Sequence, residues 1–134
     1  MSTKSDADEV KAAVAAYHAA LSSLDPAKIQ ALWAREDSVT TVEPASEEIT
    51  VGWTAVKKGL DGFFGSFSEL KVVQAVGPHV QVWGDVACST GVTTAAARTK
   101  AGESLSLRVC DTQVLVKRGG AWRVASNIAL PVPH

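Results

Sequence analysis

The sequence predicts an α+β fold in which three N-terminal helices cover one face of a cone-shaped, curved antiparallel sheet. Three observations predict it. Helical periodicity is confined to the first half of the chain, the second half contains four long strand-like runs joined by tight turns, and a Gly-Pro pair bends the first of those runs. Long strands with tight turns pair as antiparallel neighbours, and the bend supplies curvature. We expect residues 1–134 to form a single domain.

The helices are predicted from apolar spacing and capping residues. The apolar positions of the first helix recur at steps of four, three and four: Val10, Val14, Tyr17 and Leu21. Asp25-Pro26 begins a short second helix, with Asp as N-cap and Pro as first helical residue. The apolar face of that helix is Ile29, Leu32 and Trp33. Thr54 is the expected N-cap of a third helix, which three glycines weaken.

The strands are predicted from β-branched runs and turn signals. Ser38 to Glu43 is a short strand that Pro44 ends, and residues 49–51 form a second one. The long strands follow in the second half, over 70–76 and 79–83 on either side of Gly77-Pro78, then 86–97, 104–116 and 122–130. Gly119-Gly120 is the signal for the last hairpin. A curved sheet covered by helices encloses a cavity that suits a small molecule.

Composition argues against several classes of partner. The chain has 134 residues, of which 46% are hydrophobic and 20% charged, and its net charge is −1. It has no basic run, which argues against nucleic acid or an anionic membrane as its partner. The first residues are charged where a secretory signal would be apolar, so a cytoplasmic protein is expected. Cys88 and Cys110 are expected to be reduced, and the three histidines lack zinc-site spacing, so we expect no cofactor and no metal.

Three residues that can transfer protons are set into otherwise apolar elements: Tyr17, Glu43 and Asp111. A buried polar group is costly unless it is satisfied, so each position raises the question of chemistry. Asp111 alternates in phase with Leu107 and Val109 along its strand and should face apolar surroundings. Such surroundings disfavour the charged form of a carboxyl group and keep it protonated. These three residues are therefore the candidate catalytic groups.

Each candidate also has a purely structural interpretation. Tyr17 also suits a core position with its hydroxyl paired. Glu43 also suits a solvated loop, and Asp111 an ion pair with Arg98 or Arg123. Candidate ligand contacts are five aromatic residues and one amide: Trp33, Trp53, Phe63, Phe64, Phe67 and Asn127. Aromatic residues at helical spacing are also ordinary core residues. His18 is expected at the flank of the first helix, outside the site.

Several stretches together carry a family resemblance. They are Ala16-Tyr17-His18-Ala19-Ala20-Leu21 followed by Asp25, then Ala31-Leu32-Trp33, Thr41-Val42-Glu43-Pro44, the segment 52–64, Arg108-Val109-Cys110-Asp111, and the segment 117–124. In these stretches the chain resembles the NTF2-like superfamily, in its SnoaL-like and ketosteroid-isomerase-like branch with a cystatin-like roll. The resemblance implies the curved sheet, the three helices, a hydrophobic pocket and a homodimer formed through the exposed face of the sheet.

The resemblance also implies roles for the candidate residues. Ketosteroid isomerases use a helix-borne Tyr and a protonated Asp as an oxyanion hole, opposite a carboxylate base. These roles fall on Tyr17, Asp111 and Glu43, with Glu in place of the family's Asp as base. The expected function is general acid–base chemistry on an apolar carbonyl compound through an enolate. Two alternatives stay open: a non-catalytic ligand-binding or dimerisation domain, and a pocket that carries out dehydration or cyclisation.

Overall fold

The computed structural model describes residues 5–43 and 48–132. Its helices are α1 (Asp6–Ser23), α2 (Pro26–Gln30) and α3 (Trp53–Gly65). Its strands are β1 (Thr40–Val42), β2 (Thr50–Val51), β3 (Phe67–Trp83), β4 (Val86–Thr99), β5 (Ser104–Arg118) and β6 (Ala121–Pro131). The predicted α+β class, with helices over a curved sheet, is confirmed. Pro44, predicted to end the first strand, lies outside the described residues, and among those residues no helix is long and apolar enough to cross a membrane.

Helix α1 lies across the sheet and carries the first part of the site. The Ser5 side chain caps it by accepting a hydrogen bond from the Asp8 N–H at 3.2 Å. Acidic residues in its first turn interact favourably with the positive end of the helix dipole. Near its other end the Ser22 hydroxyl accepts the Val72 N–H at 3.0 Å, which ties α1 to β3. The helix is therefore capped at its N-terminus and tied to the sheet near its C-terminus.

Helix α2 begins as predicted and ends earlier. The Asp25 side chain accepts the Ala27 N–H at 3.0 Å, as an N-cap should. The helix ends at Gln30, so the prediction that Leu32 and Trp33 belong to it is wrong. The reason is a long-range pairing: the segment from Leu32 to Ala34 lies parallel to β6 and exchanges two backbone hydrogen bonds of 2.8 Å with Val124.

Helix α3 begins one residue before the predicted cap. Gly52 is its N-cap residue, with φ of 90°, and Trp53 is already helical. The prediction that Thr54 caps this helix is therefore wrong. The positive φ that the chain needs at Gly52 favours glycine over a capping side chain. The helix continues without interruption to Gly65 despite its internal glycines.

The six strands form one sheet in the order β2-β1-β6-β5-β4-β3. The predicted meander is confirmed, because β3 to β6 are antiparallel neighbours in chain order. Strand β1 departs from the antiparallel expectation by pairing parallel to β6. It reaches the sheet from the helical half of the chain, and a connection that long permits parallel pairing where a hairpin does not. This pairing brings the end of β1 beside the middle of β6.

The predicted bend takes the form of two register shifts between β3 and β4, within residues 74–79. Gly91 of β4 lies against this irregularity, and a Cβ there would come within 2.9 Å of the Val76 carbonyl oxygen. The Gln74 side chain donates to the Val76 carbonyl at 2.8 Å and to the Val92 carbonyl at 3.2 Å. These bonds satisfy carbonyl groups at the bulge, which curves the sheet around its concave face.

The core fills one end of the space between helices and sheet. Its largest fully buried side chains come from both layers: Trp33, Ile29, Leu115, Val10, Val39, Val56 and Val124. They gather where β5 ends and β6 begins. The other end of the concave face, beside the start of β5, is left for a cavity.

Candidate functional site

A cavity of about 120 Å³ lies between the concave face of the sheet and helices α1 and α3. Most of its lining is apolar: Leu21, Leu60, Phe63, Phe67, Leu70, Val72, Ala95, Ala97, Leu105, Leu107, Val109 and Ala129. The rest of the lining is a set of polar side chains: Tyr17, His18, Glu43, Thr93, Asp111, Gln113 and Asn127. An apolar cavity with a few convergent polar groups is the usual form of a small-molecule site.

The inward side of β5 shows how the cavity is oriented. Alternate residues of a strand share one face. Along that face the exposed fraction of the residues falls from 42% at Leu105 and 41% at Leu107 to 8% at Val109 and 2% at Gln113. We call the Leu105–Leu107 end the mouth, and we call the buried polar end around Asp111 and Gln113 the floor. The mouth is apolar, and a ligand meets polar groups only at the floor.

Tyr17 presents a hydroxyl group to the floor. Its oxygen accepts a hydrogen bond from the Trp33 indole N–H at 3.2 Å. Burial raises the pKa of Tyr17, and the charge of Glu43 raises it further, while the bond from Trp33 opposes the rise. The hydroxyl therefore keeps its proton at neutral pH. Since its oxygen is held by Trp33, its own proton is available to a ligand oxygen.

Glu43 reaches the floor because of the β1–β6 pairing. It follows β1 directly, and Thr41 of β1 lies opposite Asn127 of β6. Its carboxylate accepts a long hydrogen bond of 3.5 Å from the Thr41 hydroxyl. Burial raises the pKa of Glu43 above the ordinary glutamate value, against the smaller opposing effect of that bond. A carboxylate of raised pKa is a better general base near neutral pH than a solvated one.

Asp111 faces the cavity, as its strand phase predicts, and the side chain beside its carboxyl group is that of His18. The Asp111 Oδ2 atom lies 3.6 Å from His18 Nε2, which is within ion-pair range and too long for a good hydrogen bond. Arg98 instead pairs with Glu69 at 3.7 Å, and Arg123 donates to a backbone carbonyl. The Asp111 Oδ1 atom is buried and has no hydrogen-bond partner among the described residues.

The predicted ligand contacts divide into two groups. Phe63, Phe67 and Asn127 line the cavity, and the two Phe rings meet edge to face with centroids 5.0 Å apart. Three others lie outside the lining: Trp33, Trp53 and Phe64. The expectation that these three contact a ligand in this cavity is therefore corrected.

Packing explains why those three residues lie outside the lining. Trp33 is 2% exposed beneath Tyr17, and Trp53 packs against Trp33 with centroids 6.4 Å apart. Phe64 follows Phe63 by one helical position, so its ring points about 100° away, into the core.

Sequence reasoning misplaced one floor residue and missed another. His18 is 8% exposed and lines the cavity, so its predicted position at the helix flank is wrong. The signal was present, because His18 stands four residues after Val14 and three before Leu21, on the same helix face. Gln113 stands two residues after Asp111, so it shares the inward face of β5.

Helices packed over a curved sheet, with an apolar cavity between the two layers, define the NTF2-like class of folds. The chain belongs to the SnoaL-like domain family, whose model matches residues 10–129. Both the family resemblance and the fold predicted from the sequence are thereby confirmed. Among curated proteins, no significant match to the sequence is found.

Solved structures of the same fold cover nearly the whole chain. A nuclear transport factor 2 (NTF2-like) superfamily protein from Salmonella enterica aligns with TM-score 0.86 and 15% identity, over 95% of this chain and 91% of that one. A ketosteroid isomerase-like protein from Erwinia carotovora atroseptica aligns with TM-score 0.82 and 18% identity, over 98% and 100%. An uncharacterized protein with a cystatin-like fold from Caulobacter vibrioides aligns with TM-score 0.78 and 18% identity, over 94% and 89%. At these identities the likeness concerns the fold alone.

Proposed function

We propose that the chain binds an apolar carbonyl compound and carries out general acid–base chemistry on it, moving a double bond through an enolate. One observation carries the proposal. Tyr17 from α1, Glu43 from the end of β1 and Asp111 from β5 are distant in sequence, and all three line the same apolar cavity. A candidate base and two candidate donors thus converge where an apolar ligand would be bound.

The steps follow from the chemistry of these groups. The Glu43 carboxylate takes a proton from the carbon next to the carbonyl group. The electron pair of that C–H bond forms the enolate, and negative charge develops on the carbonyl oxygen. Tyr17 donates a hydrogen bond to that oxygen, and protonated Asp111 donates a second. Glu43 then returns the proton to the far carbon of the conjugated system, so that the double bond moves and no atom is gained or lost.

Binding of enolate mimics tests this site. Naphthols and steroidal phenols place a phenol oxygen where the enolate oxygen would form, and absorbance reports whether the phenol ionises on binding. We expect Tyr17→Phe and Asp111→Ala each to weaken binding by about 1–3 kcal/mol, the cost of losing a buried hydrogen-bond partner. Asp85→Ala, at the exposed β3–β4 turn, is the matched control. Absent binding, or binding indifferent to both site substitutions, would favour a non-catalytic module.

We further propose that the outer face of the sheet binds a second copy of the chain. A row of apolar side chains crosses four strands there, each opposite the next in the ladder: Val76, Val92, Cys110 and Leu130. Val76 is 54% exposed and Leu130 is 53% exposed. The outward face of such a sheet is normally polar when water covers it. An exposed apolar surface of this kind supports an interface between protomers.

A further inference from the structure

Two buried oxygen atoms at the floor lack a hydrogen-bond partner in the part of the chain that the structure describes. They are Asp111 Oδ1 and Gln113 Oε1. Both residues lie on the inward face of β5, two positions apart, which separates their backbones by roughly 7 Å. Buried acceptors are nearly always paired, so an unpaired acceptor facing a cavity indicates a ligand that donates to it.

Gln113 is the better defined of the two acceptors. Its side chain is held in place, because Nε2 donates to Asn127 Oδ1 at 3.1 Å across the β5–β6 ladder. One N–H of the amide is used in this way, and Oε1 is the acceptor of this cavity-lining side chain that has no partner among the described residues. Gln113 is 2% exposed, and the proposed proton transfer gives it no role. An amide also stays neutral at every relevant pH, so it accepts a hydrogen bond whatever the protonation state of Asp111.

The charge of the lining restricts the ligand further. The described lining includes the carboxyl groups of Glu43 and Asp111 and the imidazole of His18, and it contains neither Lys nor Arg. A ligand carboxylate or phosphate would lose its hydration without gaining a fixed cation, and it would be repelled by Glu43. The mouth is apolar. The site therefore favours an uncharged molecule that is apolar at one end.

We propose that the ligand is an uncharged, largely apolar compound that carries a hydroxyl group in addition to its carbonyl group, and that Gln113 Oε1 accepts the hydrogen bond of that hydroxyl. The carbonyl part of this inference rests on the proposed function, and the hydroxyl part rests on Gln113. Gln113 is then a specificity-determining residue. A ligand without the donor would leave the buried acceptor unpaired, which is a strong form of discrimination.

A series of matched ligands tests the inference: hydroxylated tetralones, their methyl ethers and unsubstituted tetralone. The methyl ether keeps the ring, the carbonyl and the oxygen, and loses only the donor. We expect one hydroxyl isomer to bind roughly tenfold more tightly than its ether, as a buried hydrogen bond implies. Gln113→Met should abolish that preference, so that the hydroxyl compound and its methyl ether bind the variant with equal affinity. Gln81→Met, on an exposed β3 position, should keep the preference.

The unmodified protein gives a second readout that does not depend on the folding of a variant. Nuclear magnetic resonance of the Gln113 side-chain amide should show a shift with the hydroxyl compound and little shift with the ether. A preference that survives Gln113→Met, no preference for any isomer, or a series that does not bind at all would overturn the inference. A tetralone carboxylate that binds as tightly as the neutral compounds would contradict the uncharged class.

Tyr17→Phe separates this inference from the proposed function. If the carbonyl group lies at the Tyr17 hydroxyl, the substitution weakens every member of the series, with or without the ligand hydroxyl. A Gln113-dependent preference without any effect of Tyr17→Phe would leave the inference standing and contradict the proposed function. A Tyr17 effect without a Gln113-dependent preference would do the opposite.

Discussion

Glu43 is the residue whose ionisation is most directly coupled to the fold. Burial raises the pKa of Glu43 in the folded chain above the ordinary glutamate value that it has in the unfolded chain. Below the ordinary pKa the carboxyl group is protonated in both the folded and the unfolded chain, so folding does not bury a charge there. As pH rises through the raised value, the unfolded chain ionises freely, while the folded chain must ionise a half-buried group. The contribution of Glu43 to stability is therefore lost with rising pH.

Glu43→Gln removes this pH dependence and nearly preserves the size of the side chain. We expect the stability of the variant, relative to the wild type, to increase from about pH 4 upward and to level off once Glu43 is fully ionised. Urea unfolding measured at steps to about pH 8 gives the difference directly. A difference that stays constant over this range would show that Glu43 is solvated in the folded protein.

Some floor residues can be predicted from the sequence and others cannot, and the difference has a physical reason. Tyr17 and Asp111 were found because helix and strand periodicity assign a face to each of them without knowledge of the fold. Glu43 lies at a strand end, where periodicity stops, and its place at the floor depends on β1 pairing with β6. The proximity of His18 to Asp111 depends likewise on where α1 crosses the sheet. Such long-range placement is invisible to local patterns.

At the scale of the element, the bulge in β3 gives the sheet its curvature, and Gly91 is the position that permits it. A Cβ at Gly91 would approach the Val76 carbonyl oxygen to 2.9 Å and the Gln74 side chain more closely still. The Gln74 side chain can move, but the carbonyl belongs to the bulge. The close approach of the two strands therefore requires glycine here.

Gly91→Ala should destabilise the chain by about 1–3 kcal/mol, the usual cost of forcing an extra group into a packed site. Gly59→Ala is the matched control, because a Cβ at that position in α3 meets no described atom within 4 Å. In a helix interior this change should stabilise by about 0.4–1 kcal/mol. Urea unfolding of the two variants measures both changes in the free energy of unfolding, which we expect to have opposite signs. Equal effects of the two substitutions would contradict the role assigned to Gly91.

Elements were predicted better in their interiors than at their ends. The first helix and the four meander strands follow local periodicity, and the structure has them where the patterns indicate. The end of α2 was misjudged because Leu32 and Trp33 have helical spacing, yet their backbone pairs with β6. The start of α3 was misjudged because Thr54 is a good cap in isolation, whereas the tertiary turn at Gly52 sets the boundary. In both cases a long-range constraint overrides a local preference.

At the scale of the whole molecule, the outer face of the sheet is the surface to test. We expect the wild type to form a dimer, with twice the 14.0 kDa mass of one chain, in light scattering coupled to gel filtration. Leu130→Arg places a charge in the row of apolar side chains on the outer face of the sheet. It should yield the monomer, because an unpaired charge in an interface core is strongly unfavourable. Ile49→Arg changes a residue that is 68% exposed near the sheet's edge, and should leave the dimer intact.

A wild type that stays monomeric at every concentration tested would contradict the proposed interface. A dimer unaffected by Leu130→Arg would place the interface on another surface. The cavity opens on the concave face, opposite this row, so ligand binding in the monomeric variant should show whether the site is complete within one chain.

Enolate formation at the floor is the central claim, and deuterium exchange tests it without knowledge of the natural substrate. In heavy water, nuclear magnetic resonance follows the loss of the tetralone proton next to the carbonyl group. We predict that the protein accelerates this exchange, that Glu43→Gln lowers the acceleration by roughly 100-fold or more, and that the exposed control Glu103→Gln does not. Exchange no faster than in buffer, or acceleration unchanged by Glu43→Gln, would contradict the claim.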